Sequence, residues 1–341
     1  MKQILITPEI MGMAKDYSDN LFKDKGTSFV QPVDGLTNLI VDLKEVNDTL
    51  SNKDRYIEYL EEIIKDYEKL KALLPKDFNK YKRKYNKIIK GCSLSERVNY
   101  RKAKLPIDKD ARKKLRTRNQ EFYELIVSRM HYKDTRLYMG PYMKRIGINT
   151  CVYCNLAKAT YSQNRKEVYY PFDHSKPKDE YPFLCVSFFN LYPSCTNCNG
   201  HKLDAEGKGF DIYVEKESIK DPFVFEIDRS LVEEGNLDTV EVKFQPRKRP
   251  WKKLSDKYKD TYRIEEFYNS DDEKRSNYQM LKLIDNHIAS YPAALSASIP
   301  AISTERIKIF TEVLGVKDDE IIFTDIRKKL KIDTAKDADL I

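Results

Sequence analysis

Apolar positions take up helical spacing most clearly between residues 36 and 74. Leu39, Ile40, Leu43 and Val46 fit a 3.6-residue period, and so do Tyr56, Tyr59, Leu60, Ile63, Ile64 and Tyr67. Ser51-Asn52 separates the two runs and can start the second helix, which Pro75 is expected to end. Residues 79–90 place Tyr81, Tyr85, Ile88 and Ile89 on one side with Lys and Arg around them, the pattern of an amphipathic basic helix broken at Gly91 and Cys92. A further helix is expected over 108–130, basic through Arg118 and then apolar at Phe122, Leu125 and Ile126. Residues 1–33 show no strong period, because Pro8, Gly26 and Pro32 interrupt short apolar runs. The first 140 residues therefore read as mostly helical.

Gly140-Pro141 marks the expected entry to a different kind of sequence. The run 168–172 has the aromatic and β-branched content of a strand, and Gln163-Asn164-Arg165 supplies a turn before it. A hairpin ending in Phe172-Asp173-His174 follows from this. Gly207-Lys208-Gly209 reads as a loop. Residues 223–227 and 239–244 read as two strands joined through Gly235-Asn236, with a small basic and aromatic cluster over 246–253. Helical patterns return at 262–268, 278–291 and 304–314, with a short one at 325–330. The fold class is α+β, in three parts: a mostly helical, basic region over 1–140, a central module over 141–215, and a C-terminal region of small strands and helices over 216–341.

Composition narrows the classes. A third of the chain is charged (34%), tyrosine is the commonest aromatic at 23 residues, and there are only 11 glycines. This is a globular composition, without a P-loop or a G-x-G-x-x-G nucleotide loop. No apolar run reaches the roughly 20 residues of a membrane helix, and the start lacks a signal-peptide core, so a cytoplasmic location is expected. The net charge of +8 is unevenly spread: residues 79–118 hold 16 Lys or Arg against 3 Asp or Glu, an excess of 13 that leaves the remainder at −5. A clustered excess points to a polyanion surface, and its bland alternative is a solvated helical face.

Four of the six cysteines form two Cys-x-x-Cys pairs, Cys151/Cys154 and Cys195/Cys198, with 40 residues between them. Four thiolates so arranged can close a tetrahedral zinc site. The gap exceeds that of simple zinc ribbons, so something is inserted. The alternative for these thiols, a redox pair, lacks a thioredoxin-like context. Cys92 and Cys185 read as buried or incidental thiols. The insertion contains Asp173-His174, and Asn199 follows the last cysteine. A carboxylate beside a histidine, held against that asparagine, can bind a divalent ion and activate a water. Side chains alternate along a strand, so one of the pair can reach a metal while the other reaches a nucleophile.

Cys151-x-x-Cys154, Asp173-His174-x-x-Pro177, Asn190-Leu191, Cys195-x-x-Cys198-Asn199 and Lys202 stand in the order found in a known family. The pattern resembles the HNH, or ββα-metal, endonucleases stapled by four cysteines, over about 50 of the 341 residues. The resemblance implies a two-stranded hairpin packed on a helix carrying Asn199. It implies His174 as general base for a water attacking a phosphodiester, Asp173 and Asn199 as holders of one Mg²⁺ or Mn²⁺, and Asn190 as the residue that fixes the loop and orients His174. The cysteines would hold structural Zn²⁺. The third ligand position, often histidine in the family, is Asn199 here, and His201 is an alternative ligand or phosphate contact. Lys202 either touches phosphate or caps a polar face.

The link Pro177-Lys178, Tyr181-Pro182, Leu184, Ser187-Phe188, Asn190-Leu191 resembles a subgroup of bacterial HNH proteins from anti-phage and mobile-element settings, as do Phe267-Tyr268-Asn269-Ser270 and Asp325-Ile326. The expected function is thus a metal-dependent endonuclease, with DNA as the expected nucleic acid, serving as effector of a bacterial anti-phage system beside a regulatory partner such as an ATPase or sensor subunit. The competing reading is a zinc-stapled nucleic-acid-binding or assembly subunit without catalysis, which would not require Asp173, His174 and Asn199 together.

Overall fold

A computed structural model describes residues 4–45, 52–99, 119–203, 212–215, 223–228 and 231–290. The expected loop at 207–209, the expected helices at 304–314 and 325–330, and residues 100–118 of the basic run lie outside these. The described residues mix helices with short two-stranded sheets, an α+β architecture. They belong to two compact units, each built from discontinuous stretches. Residues 6–146 and 161–193 form one, and residues 1–5, 147–160 and 194–341 form the other. None of the described helices is long and apolar enough to cross a membrane.

The first unit opens with a helix the periodicity missed, Pro8–Asn20. Pro8 is a starter rather than a breaker here: at the first turn its missing N–H costs nothing. The Thr7 hydroxyl caps the turn by accepting from the Ile10 amide at 3.3 Å. Ile10, Met13, Ala14 and Tyr17 then form the buried stripe. Pro75 likewise opens the helix Pro75–Ile88, after Lys53–Leu70 has already ended. Pro32–Glu45 packs on Lys53–Leu70, and Leu36, Leu39, Leu43, Leu60 and Ile63 are wholly buried. Each such side chain contributes roughly 1.5–3 kcal/mol.

Two expectations fail in this unit for identifiable reasons. Residues 119–121, inside the expected helix 108–130, are a strand paired antiparallel with Arg97–Asn99, and the helix that follows them starts at Phe122, where Glu121 and Glu124 form a reciprocal capping box. Gly140-Pro141 lies inside the helix Tyr132–Arg145 and is no boundary. Gly140 is required by packing: a Cβ there would meet Tyr161 at 2.6 Å and Val168 at 2.7 Å. Those two residues belong to the hairpin Tyr161–Ser162/Glu167–Val168, whose turn ends at Lys166 with φ +52°. Pro171 follows, and the strand resumes as Phe172–His174.

The helices of this unit hold the segment 181–193, every residue of which is buried. Tyr85 packs on Phe183 at 4.4 Å between ring centres. The Phe188 amide donates to the Lys71 carbonyl at 2.8 Å, and the Tyr17 hydroxyl donates to the Val186 carbonyl at 2.7 Å.

In the second unit, Phe223–Ile227 pairs antiparallel with Val242–Pro246, a little later than the expected 239–244 because Leu237–Thr239 is a 3-10 turn. Helices Lys252–Tyr262, Ile264–Tyr268 and Asp271–Ser290 follow, the first two separated at Arg263 with φ +48°. Asn269 explains part of the conspicuous Phe267–Ser270 run. Its side chain accepts from the Val242 amide at 2.7 Å and donates to the Val242 carbonyl at 2.8 Å, acting as a strand partner for an otherwise open edge.

Candidate functional site

The four paired cysteines converge. The sulfurs of Cys151, Cys154, Cys195 and Cys198 all lie within 4.8 Å of one another. Tetrahedral Zn–S bonds of about 2.3 Å imply S···S distances of about 3.8 Å, and Cys154 and Cys195 stand 4.0 Å apart. Cys151, Cys154 and Cys198 are buried, and Cys195 is half-buried.

Local geometry builds both halves. The first pair sits on a tight hairpin in which Thr150 and Lys158 bridge and the Cys151 amide donates to the Ala157 carbonyl at 2.8 Å. The reversal needs a left-handed residue, supplied by Asn155 at φ +53°. The Leu156 amide then points at Cys154 Sγ from 3.5 Å. Cys195 immediately precedes the helix Thr196–Leu203, and its Sγ accepts from the Cys198 amide at 3.4 Å, so a sulfur takes the capping role. A helix N-terminus favours thiolate. Burial pushes the Cys151 thiol up, whereas hydrogen bonds from Cys151, Cys154 and Cys198 hold the Cys195 thiol down. Four soft sulfur donors converging at this spacing are the ligand set of a tetrahedral zinc site. These residues fit zinc.

Tyrosines clasp the first hairpin. Tyr268 donates its hydroxyl to the Cys154 carbonyl at 2.8 Å, and Tyr258 donates to the Tyr153 carbonyl. The Tyr153 ring stacks on Tyr262 at 4.5 Å and its hydroxyl accepts from Lys202 Nζ at 3.2 Å. Lys202, on the helix of the second cysteine pair, therefore reaches back to the first. Asn199 and His201 lie half-buried on the same helix.

Asp173, His174 and Asn190 belong to the other unit. Strand Phe172–His174 pairs antiparallel with Leu191–Pro193, setting Asp173 opposite Tyr192 and His174 opposite Leu191. Both Asp173 and His174 are buried. His174 Nε2 lies 3.1 Å from the Cys185 carbonyl oxygen. A carbonyl only accepts, so Nε2 carries the proton in this contact. The Tyr132 ring packs on the imidazole at 4.5 Å, and its hydroxyl donates to the Phe172 carbonyl at 2.5 Å. Burial, and then the Asp173 carboxylate, push the Tyr132 phenol up and keep it neutral.

Asn190 is wholly buried and ties the loop that follows His174. Its Oδ1 accepts from the Lys176 amide at 2.7 Å, its Nδ2 donates to the Lys176 and Leu184 carbonyls at 3.3 and 3.1 Å, and its own carbonyl accepts from the Ser175 amide at 2.8 Å. Sequence reasoning missed Tyr132 and Cys185 as supports of His174. Cys185 works through its backbone, and its thiol is a buried core group donating to Met130 Sδ at 3.7 Å.

No known family model and no solved structure matches the chain. A stretch of 66 residues is 39% identical to the Septu protein PtuB of Bacillus thuringiensis, covering 18% of this chain and 24% of that protein. The chain thus matches about a quarter of the length of that relative and shares with it a partial likeness.

Proposed function

We propose that this chain is a metal-dependent HNH endonuclease that hydrolyses phosphodiester bonds of DNA. The observation that carries the reading is the placement of His174: its Nε2 stands 3.1 Å from the Cys185 carbonyl oxygen, which fixes the ring one residue from a carboxylate. In this reading Nδ1 takes the proton of the attacking water as the water oxygen bonds to phosphorus, and the opposite P–O bond breaks to release an alkoxide that takes its proton from solvent. Tyr132 holds the imidazole plane and Asn190 holds the loop behind it. Asp173 and Asn199 offer hard oxygen donors of the kind Mg²⁺ or Mn²⁺ accepts, and such an ion would supply neutralisation of charge on the phosphorus oxygens and leaving group. Zinc at the four cysteines makes the module rigid and stays outside the chemistry.

The resemblance to bacterial anti-phage HNH proteins and the partial likeness to a Septu protein together support a place in anti-phage defence, as an effector restrained by a second subunit such as an ATPase or sensor. The test is plasmid nicking by the zinc-loaded chain with and without Mg²⁺ or Mn²⁺, beside a His174→Ala variant. General-base removal is expected to lower the rate by about 10²–10⁴-fold, with zinc content unchanged. Metal-dependent nicking that survives in His174→Ala would remove His174 from the role. Absence of nicking, alone and with the products of neighbouring genes, would favour the non-catalytic binding module.

A further inference from the structure

The strongest feature outside the proposed catalytic residues is a groove in the helical unit between helices Lys53–Leu70 and Pro75–Ile88. It encloses about 630 Å³ and is lined by Lys65, Lys69, Lys80, Arg83, Lys84 and Lys87, with Asp66 and Tyr81. Six cations thus face one carboxylate, and that carboxylate is already engaged. Asp66 is buried, and its Oδ2 accepts from Lys84 and from the Tyr85 hydroxyl, the latter at 3.0 Å. Glu62 takes up Lys65 at 3.2 Å and a second contact from Lys84. Lys69, Lys80, Arg83 and Lys87 are left exposed without an acidic partner among the described residues; Arg83 Nε donates only to the Asn79 carbonyl, at 3.3 Å.

The arrangement has a cost in the isolated chain. Lys80, Arg83, Lys84 and Lys87 are like-charge neighbours at helical spacings of three and four, and each such pair destabilises a helix by roughly 0.2–0.5 kcal/mol. Alternating signs mark a solvated helix face laced with ion pairs, and this face carries one sign. Along the helix axis the steps from Lys80 to Arg83 to Lys87 are about 4.5 and 6 Å. This spacing gives one cation per one to two nucleotide rises of a strand, each about 3.4 Å. Tyr81 adds an aromatic surface of the kind on which bases stack.

We infer that this groove is a nucleic-acid exosite that grips consecutive phosphates of one strand through Lys69, Lys80, Arg83 and Lys87. The inference deepens the proposed function by naming where substrate is held, and rests on it only for what the bound strand is used for. The site reads no sequence, since its contacts are to phosphate.

The test measures binding, not cleavage. Labelled single-stranded and duplex DNA of equal length are titrated by anisotropy against the zinc-loaded full chain, without added Mg²⁺ or Mn²⁺, over a salt series. The triple variant Lys80→Ala/Arg83→Ala/Lys87→Ala is expected to reduce the slope of log K against log salt by about 2 for a single strand or about 3 for a duplex. A Lys252→Ala/Lys253→Ala/Lys257→Ala control, removing the same charge from the exposed face of another helix, should leave most of the slope. Arg83→Lys should retain binding. Whichever DNA form shows the larger slope loss is the form the groove holds. Equal losses in variant and control, an unchanged slope in a folded triple variant, or no DNA binding by the native chain would each overturn the exosite. A groove-dependent affinity for inorganic polyphosphate without one for DNA would overturn it too. A nuclease that binds DNA with this groove altered would leave the proposed catalysis standing.

Discussion

Replacing Cys198 by alanine separates metal binding from packing, because the chain contains an internal control. Cys198 and Cys185 are both wholly buried thiols. Removing either sulfur deletes one heavy atom from a packed site, a loss of about 1–2 kcal/mol from transfer and cavity effects. Only Cys198 shares a cluster with three other sulfurs inside 4.8 Å. Structural zinc contributes roughly 10–16 kcal/mol in small zinc modules, and whole-domain stability is about 5–15 kcal/mol. Losing the ion is therefore sufficient to unfold the unit built on it, whereas losing the Cys185 sulfur is not. The hairpin of the first pair hangs on this: Tyr258 and Tyr268 bond carbonyls at Tyr153 and Cys154, and those bonds exist only while the hairpin keeps its shape. The expected result is about one zinc per native chain by elemental analysis, little in Cys198→Ala, and a full complement in Cys185→Ala. Limited proteolysis should open the 147–160 and 194–203 segments of Cys198→Ala while the helices of 8–88 persist. A Cys198→Ala protein that keeps its zinc and its protease resistance would refute the reasoning.

Asn190→Ala removes the side chain that answers the Lys176 amide and the Lys176 and Leu184 carbonyls. Each buried group left unpaired costs about 1–3 kcal/mol, so a loss of several kcal/mol in chemical denaturation is expected, and a loss below about 1 kcal/mol would show that water replaces the amide. Tyr132→Phe deletes the bond to the Phe172 carbonyl but keeps the ring on His174. It should cost about 1 kcal/mol of stability and less than tenfold in nicking rate, with Tyr132→Ala losing distinctly more rate; equal rates in the two variants would exclude a positioning role for the ring.

What the sequence disclosed followed from local chemistry. The helices Pro32–Glu45, Lys53–Leu70 and Pro75–Ile88 were legible because their apolar stripes repeat within one turn, and the cysteine set because two short knuckles repeat a fixed spacing. Proline misleads repeatedly. Pro8 and Pro32 read as interruptions and Pro75 as a helix end, yet each opens a helix, where its fixed φ favours the first turn. Gly140-Pro141 was read as a boundary, although Gly140 answers to side chains from a hairpin more than 20 residues downstream. The strand at 119–121 was hidden because its partner at 97–99 lies beyond the reach of any periodicity. Around His174 the same limit applies. The imidazole is held by a backbone carbonyl at Cys185 and a ring at Tyr132, 42 residues upstream, and neither leaves a spacing that a motif could record.

The unusual gap between the cysteine pairs has a structural account. A simple ribbon joins its two knuckles directly, but here the chain leaves the cysteine-bearing unit after residue 160 and rejoins it at 194. In between, it forms two short antiparallel pairings and a buried run from 181 to 193 that the helical unit encloses. Such a segment cannot bury its backbone in a module of two knuckles and one short helix. Its amides and carbonyls are answered instead by Lys71, Tyr17 and Tyr132, from helices far upstream. The N-terminal helices are therefore part of what makes Asp173 and His174 a defined pair. A fragment limited to residues 141–215 would retain all four cysteines and lose those partners, so it should bind zinc while failing to order the strand that carries His174.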